Sequence, residues 1–280
     1  MGRGTPRIEY VTARRVLLDA LDALRPHLDA LVLVGAEAVY LRTIDRLASY
    51  QPYTTDADLV LDPARLADVP ALGAAMRTAG FELSQEPGVW HARVYRADLD
   101  DDVIVPVDLI VPEQIVSTAG RRSARLAGEH GKNTARKTTG LEGALVDAGL
   151  VTITALDPED RRSIEVSVAV EAALLVAKLH KLGERLTTPE RLEPKDAGDI
   201  YRLFDALDPE AMVAKLRPLQ SDDRSARVTA VGIDHGRRLF GTPGSTGVAL
   251  GVEALRGILP EPTVVAVLTG YWRALEEEIL

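Results

Sequence analysis

Three aspartates in strand-like surroundings carry the strongest chemical signal in this chain. "YTTDADLVLD", residues 53 to 62, places Asp56 and Asp58 two apart at the head of an apolar run. Side chains alternate faces along a strand, so both carboxylates point one way while Ala57, Leu59 and Leu61 point the other. Asp108 lies inside "VIVPVDLIVP", out of phase with Val107 and Leu109, so one face of that run is dry and the other carries the acid. If the runs 56–61 and 103–111 are neighbouring strands, three carboxylates converge on one side of a sheet. Such a set binds hard divalent cations, Mg²⁺ or Mn²⁺, and two ions roughly 3.5–4 Å apart suit in-line phosphoryl or nucleotidyl transfer. Each piece also has a plainer reading. Asp-x-Asp alone describes a solvated edge-strand pair, and Asp108 alone a core carboxylate held by an arginine.

The elements that must position these acids follow from periodicity. "TARRVLLDALDALRPHL" has helical spacing, "ALVLVG" is a short buried strand, and "AEAVYLRTIDRLA" resumes a helix. "PARLADVPALGAAMRTAG" is expected to be a helix closed by Gly80, and "WHARVYRAD" and "DDVIVPVDLIV" read as strands. "LVTITALD" and "RRSIEVSVA" form a hairpin turned at "PED". Beyond Val170 only helical patterns remain: "VEAALLVAKLHKLGERL", "PKDAGDIYRLFDAL", "PEAMVAKLRPL", "DDRSARVTAVGIDHGRRLFG" and "PTVVAVLTGYWRALEEEI". The expected architecture is an α/β (α+β) mixed-sheet domain over 1–169, followed by an all-helical domain over 170–280.

A strand–glycine–helix element, either a plain tight turn or a phosphate-binding turn, precedes the acids. In "LVLVGAEAVYLR" an apolar strand ends at Gly35 and a helix begins at once. Glycine lets a phosphate approach the backbone, and the free N–H groups of the first helical turn, Gly35 and Ala36 included, offer an anion site. Farther on, Lys178, Lys181 and Arg185 flank the stripe Leu175, Leu179, Leu182 and Leu186 on one helix. These cations either reach a triphosphate or form a solvated flank with snorkelling stems. Lys195 and Asp199, four apart, have the spacing of a helix-surface ion pair.

Strand–Gly–helix, then Thr55-Asp56-Ala57-Asp58, then Asp108, resembles the nucleotidyltransferase superfamily of the DNA polymerase β type. Within it the pattern is most similar to the AbiEii-like toxins of bacterial toxin–antitoxin and phage-defence systems. "AKLHKLGER" resembles that family's Lys-Leu-x-x-Leu-x-x-Arg helix through Lys178, Leu179, Leu182 and Arg185. "KDAGDIYRLF" resembles its Lys-x-x-(Arg)-Asp-hydrophobic-Tyr helix through Lys195, Asp199 and Tyr201. The chain departs from the family in having Gly35-Ala36 in place of Gly-Ser or Gly-Gly, and Gly198 where an arginine is expected. The span from Gly35 to Asp56 is also long.

The resemblance implies a nucleotidyltransferase-type sheet domain whose helical partner contributes basic residues to the cleft. It implies a metal-dependent transfer of a nucleotide from an NTP to RNA, for example tRNA, and a cognate antitoxin protein as a further partner. Asp56, Asp58 and Asp108 would be catalytic through the metal, with Lys178 and Asp199 beside them. Gly35, Ala36, Lys178, Arg185 and Lys195 would hold the nucleotide. A protein hydroxyl or a small molecule is the alternative acceptor. The alternative function is a catalytically inactive module of the same fold that binds nucleotide or a partner protein.

Composition narrows the remaining classes. At 46% hydrophobic and 27% charged residues, the 280-residue chain has the make-up of a globular protein with a real core. A net charge of −9 argues against a surface-wide attraction to nucleic acid. The local exception is 121–137, where Arg121, Arg122, Arg125, Lys132, Arg136 and Lys137 face one Glu129. That run is expected to be a mobile loop, either a merely solvated charge run or the place where an RNA backbone would bind. The absence of cysteine removes disulfides, thiolate metal sites and thiol catalysis. Without an apolar leader or a membrane-length run, the expected location is cytoplasmic. The histidines have no ligand spacing, and His91, His180 and His235 read as structural.

Overall fold

A computed structural model describes residues 6–43, 54–116 and 123–279. The chain divides into two compact units. One comprises Met1–Glu37, Pro52–Thr138 and Ala148–Val168, and the other Ala38–Gln51, Thr139–Asp147 and Ala169–Leu280.

The first unit is built on a mixed sheet. Its strands are β1 (Leu31–Val34), β2 (Ala57–Leu61), β3 (Glu82–Leu83), β4 (Val89–Arg96), β5 (Asp101–Pro112), β6 (Arg136–Thr138), β7 (Ala148–Thr154) and β8 (Ser163–Ala169). The order is β3-β4-β5-β2-β1-β8-β7, with β6 added alongside β5. β1 runs antiparallel to β2 and parallel to β8, while β2 runs parallel to β5. The central strands are apolar because both their faces are covered. Leu31, Leu33, Leu59, Leu61, Val107 and Leu109 are fully buried. Helix α1 (Ile8–Ala23) lies against β2 and β5 and buries Val16, Leu17, Leu18 and Leu21. The expected hairpin at 150–169 is present, with β7 and β8 adjacent.

Helix α2 (Gly35–Arg42) starts directly after β1, and its first turn belongs to the sheet unit. From Ala38 onward it belongs to the helical unit, where the Arg202 guanidinium lies over the Tyr40 ring at 5.2 Å. Arg42 Nε there donates to the Ala169 carbonyl at 3.1 Å. The helical unit therefore gathers two earlier segments besides everything from residue 169 onward.

Two local expectations differ from the structure. The helix foreseen over "PARLADVPALGAAMRTAG" is confined to α3 (Leu72–Thr78). Pro63 and Pro70 remove N–H donors and disfavour helix in the residues before them, so the first half stays non-helical. Conversely, "TGVALGVEA" forms α8 (Thr246–Ala254), which the sequence reading lacks. Its glycines fit by close approach. A Cβ on Gly251 would press on Leu268, and one on Gly247 on the Leu239 backbone.

The helical unit consists of α4 (Glu171–Glu184), α5 (Pro194–Ala206), α6 (Pro209–Ser221), α7 (Ala226–Phe240), α8 and α9 (Glu261–Ile279). α4 packs on α5, α6 and α7, and α9 packs on α5, α6 and α8. Aromatic contacts fill its centre: Phe204 stacks on Tyr271 with centroids 4.0 Å apart and meets Phe240 edge-on at 6.2 Å. His180 Nε2 lies 2.8 Å from the Val228 carbonyl and its ring meets His235 edge-on, which gives both histidines structural work. Among the described residues no helix is long and apolar enough to cross a membrane.

Candidate functional site

The sheet brings the strand acids together by register. Antiparallel pairing sets Asp58 opposite Val34, the last residue of β1, so Asp58 stands next to the β1–α2 turn. Parallel pairing sets Asp58 beside Asp108. Alternation then puts Asp56, just ahead of β2, on the same face. Ala57, Val107 and Leu109 turn into the core from the opposite face and fix that orientation.

Gly35 is required where it stands. Its φ is +72°, and a Cβ there would overlap the Asp58 carboxylate. The strand-to-helix turn therefore needs glycine twice, for its backbone conformation and for its distance to the acid. Ala36 is buried in the first turn of α2 and has no side-chain hydroxyl to offer.

Glu37 follows on the same turn and is buried at 2% exposure. It accepts from Arg14 Nε at 2.6 Å and from the Tyr10 hydroxyl at 3.2 Å. Burial pushes the Glu37 carboxyl upward, Arg14 opposes this, and the nearby Asp56 adds to the rise. The Thr54 hydroxyl donates to Asp56.

Asp108 has a partner that the sequence placed elsewhere. Arg136 Nη2 and Nε both donate to its Oδ2, at 2.5 and 3.1 Å, and Arg136 Nη1 donates to Thr138 Oγ1 at 3.0 Å. The topology explains this. β4 pairs with β5 only as far as Val89 opposite Asp108, and beyond that point β6 takes over the same edge, with Arg136 opposite Ile110. Ile110 shares a face with Asp108, so Arg136 projects from that face and reaches back to the acid. Gly88 permits the exchange of partners. Its φ is +76°, and a Cβ would collide with the backbone of Leu109, Ala135 and Arg136.

Burial pushes the Asp108 carboxyl up, Arg136 pulls it down, and Asp56 and Glu86 push it up again; the net shift is upward. Glu86, in the turn before β4, is thus a further acid acting on Asp108 that the sequence did not single out. The alternative of a carboxylate held by an arginine describes Asp108 as observed. Among the described residues no three carboxylate or imidazole side chains are gathered closely enough to hold a metal ion between them. One oxygen of Asp108 is already taken by the Arg136 guanidinium.

The basic segment is corrected as well. Arg121 and Arg122 lie outside the described residues. From Ser123 onward the chain is tied down: Ala124 N–H donates to the Ala135 carbonyl, Trp90 Nε1 to the Thr134 carbonyl, and Thr134 Oγ1 to the His130 carbonyl. Ala124, His130, Thr134 and Ala135 are buried, so this part is not a solvated loop. Arg125 and Lys132 do face solvent. Lys137 is turned inward, with Glu113 at 3.9 Å.

In the helical unit Lys178 is the clearest departure from expectation. Its ammonium was expected to be wet and free for a phosphate, yet the side chain is 7% exposed. It donates to Asp196 Oδ1 at 2.7 Å and Asp199 Oδ2 at 2.6 Å, and both aspartates are fully buried. Burial alone would lower the Lys178 pKa; the two aspartates outweigh it and hold the value well above a lysine's ordinary one. Burial likewise opposes ionisation of Asp196, but Lys178 and Lys181 draw its pKa far below the usual carboxylate range.

Asp199 thus pairs with Lys178 on α4 and not with Lys195, which is half-buried on the first turn of α5. Arg185 Nη1 donates to the Arg191 carbonyl at 2.9 Å and lies 3.6 Å from Glu193. Asp196 is the member the sequence reading missed. Its signal was there: Lys178 and Lys181 are three apart on one helix, and Asp196 and Asp199 three apart on the next.

No family model matches the chain, and neither does any curated protein. The chemistry is therefore carried by these residues alone.

Proposed function

We propose that this chain is a metal-dependent nucleotidyltransferase that moves a nucleotide from an NTP to an acceptor, with RNA such as tRNA the acceptor class, in a toxin–antitoxin or phage-defence-like role. One juxtaposition supports it: Asp58 lies against the positive-φ Gly35 that opens α2, and beside Asp108 on the neighbouring parallel strand. A phosphate approaching Gly35 and the first N–H groups of α2 would arrive next to the acids. Asp56 and Asp58 would hold a divalent ion there, and such an ion, when bound, supplies the charge that a reacting triphosphate needs. Gly35 and Ala36 would seat the phosphate through the backbone, since no hydroxyl is available. Asp108 is the group placed to take the proton of the attacking hydroxyl, with Arg136 fixing its orientation.

The second reading, an inactive module that binds nucleotide or a partner protein, draws support from Arg136 on Asp108 and from the inward-facing Lys178. Thermal unfolding with Mg²⁺ and each NTP, combined with a pyrophosphate assay, separates the two. The enzyme and a nucleotide-binding module both expect stabilisation of about 2.7 kcal/mol at ligand 100-fold above Kd, and a module that binds only a partner protein expects none. Only the enzyme releases pyrophosphate, and stabilisation without release would favour the module.

A further inference from the structure

The far end of the β4–β5 hairpin runs past its neighbours in the sheet. β5 meets β2 only from Val107 onward, and β4 meets β3 only at Trp90 and His91. Among the described residues, 92–96 and 101–106 therefore pair with each other and with no third strand. A two-stranded arm is marginal unless one of its faces is packed. Here Val94, Arg96 and Val105 are buried on one face, while Tyr95 and Ile104 stand on the other. Those two are diagonal neighbours across the pair, within reach of an aromatic ring. Tyr95, Ile104 and Leu99 of the connecting turn are 59, 52 and 56% exposed. Apolar side chains exposed together and rimmed by polar ones mark a surface that another molecule covers.

Charge selects the kind of molecule. Asp98, Asp100, Asp101 and Asp102 flank Leu99 in sequence and are all exposed. Arg96 Nε and Nη2 hold Asp98 at 2.8 and 2.5 Å. Asp100 accepts from the Tyr95 hydroxyl at 2.6 Å, which fixes the ring, and Asp101 accepts from the Asp102 amide at 2.7 Å. Among the described residues Asp100, Asp101 and Asp102 form no ion pair. The remaining cation of the arm, Arg93, stands opposite Ile104, so the tip stays negative. A phosphate backbone or an anionic membrane surface is repelled there. A second copy docked about a two-fold axis would bring the same carboxylates against themselves. A basic segment with apolar side chains matches both features.

We propose that the tip of the β4–β5 arm is a docking surface for another protein, engaged through a segment that combines apolar side chains with lysine or arginine. The apolar groups cover Tyr95, Leu99 and Ile104. The cations settle at the rim among Asp100, Asp101 and Asp102, where they govern specificity and association rate more than affinity. The surface needs no transfer chemistry and stands whether or not the chain is an enzyme.

The test titrates the full-length chain against fluorescent peptides made of leucine with lysine, leucine with glutamate, and serine with lysine, read by anisotropy. The Leu/Lys peptide binds the wild type, and the other two bind at least about tenfold more weakly. Tyr95→Thr combined with Ile104→Thr weakens the Leu/Lys peptide about fivefold or more. Asp102→Lys weakens it as well and lowers its sensitivity to salt. Leu150→Thr on β7 and Glu159→Lys in the β7–β8 turn make the same changes at other exposed positions, and neither alters binding. Unfolding curves check each variant, and Ile104→Thr alone carries the prediction should the double variant fail to fold. No binding of the Leu/Lys peptide, equal binding of all three peptides, or equal losses in the controls would overturn the proposal. Binding of an RNA oligomer, or self-association of the wild type, that is abolished by the Tyr95 and Ile104 changes would also overturn it by assigning the face another occupant.

Discussion

Lys178, Lys181, Asp196 and Asp199 in the helical unit carry two charges of each sign, closed upon one another with both aspartates fully buried. In the sheet unit the Arg136 guanidinium is bonded to Asp108, Asp56 and Glu86 act electrostatically on the same carboxyl, and Asp56, Asp58 and Asp108 keep partial exposure. The first arrangement is satisfied from within, and a bound ligand would have to break strong internal pairs to use it. The second is part-exposed and lies beside the turn at which α2 begins. Burial, more than the identity of the charged residues, separates a structural cluster from a candidate site here.

The comparison breaks most readily at Lys178. Replacing it with Met leaves two buried aspartates short of their main partner, and removing one side of a buried pair costs about 3–5 kcal/mol. Urea unfolding should show that loss, while Lys181→Ala, at 36% exposure, should cost less than about 1 kcal/mol. Unchanged stability with a raised nucleotide KM in Lys178→Met would mean that the cluster is open to ligand after all.

Gly35 is the next largest. Alanine there costs about 1–2 kcal/mol for the left-handed backbone, and its Cβ must also displace the Asp58 carboxylate. The same variant should lose any thermal response to Mg²⁺. A variant as stable as wild type that still responds would detach the turn from the acids.

The two clusters should also titrate in opposite senses. The folded-state pKa of Asp196 is depressed, so its stabilisation is present above the ordinary aspartate value, about 3.9, and is lost as pH falls through the lower folded value. That of Lys178 is raised, so its contribution holds below the ordinary lysine value, about 10.4, and is lost as pH rises through the folded one. Asp108 behaves the other way. Its raised pKa means that the native state takes up its proton earlier, so this acid destabilises the fold at neutral pH and is relieved on mild acidification. The stability difference between Asp108→Asn and wild type should therefore be most favourable to the variant near neutrality and shrink toward pH 4. A difference that grows on acidification would contradict the assigned environment.

Much of this was legible in the sequence because it depends on local period. The alternation in "DADLVL" and "VIVPVDLIV" correctly places Asp56, Asp58 and Asp108 on one face, with Ala57, Val107 and Leu109 in the core. What escaped depends on partners far along the chain. Arg136 reaches Asp108 only because β5 exchanges β4 for β6 at Gly88, a change of register that no local pattern encodes. Lys178 shows as the edge of an apolar stripe, and only the docking of α5 on α4 reveals that two aspartates lie over it. α8 was missed because its glycines serve close packing at the expense of helix propensity.

The smallest effect on stability belongs to Arg125 and Lys132. Both are exposed, so replacing the pair with Ala should change stability within about 0.5 kcal/mol. If RNA is the acceptor, the double substitution should still weaken RNA binding and flatten the slope of log K against log salt by roughly 0.7–0.9 for each phosphate that is no longer neutralised. Unchanged affinity and slope would return this stretch to ordinary surface.

The central proposal is that the carboxylates beside Gly35 support nucleotide transfer. The most direct measurement incubates wild type and Asp58→Asn with each labelled NTP, Mg²⁺ and total RNA, with folding of both checked by thermal unfolding. The account predicts label on RNA from one or more NTPs with the wild type and none with the variant, whose melting temperature is equal or slightly higher without Mg²⁺ because a like-charge contact is relieved. Transfer by a folded Asp58→Asn variant, or no transfer by the wild type to any RNA, would contradict it.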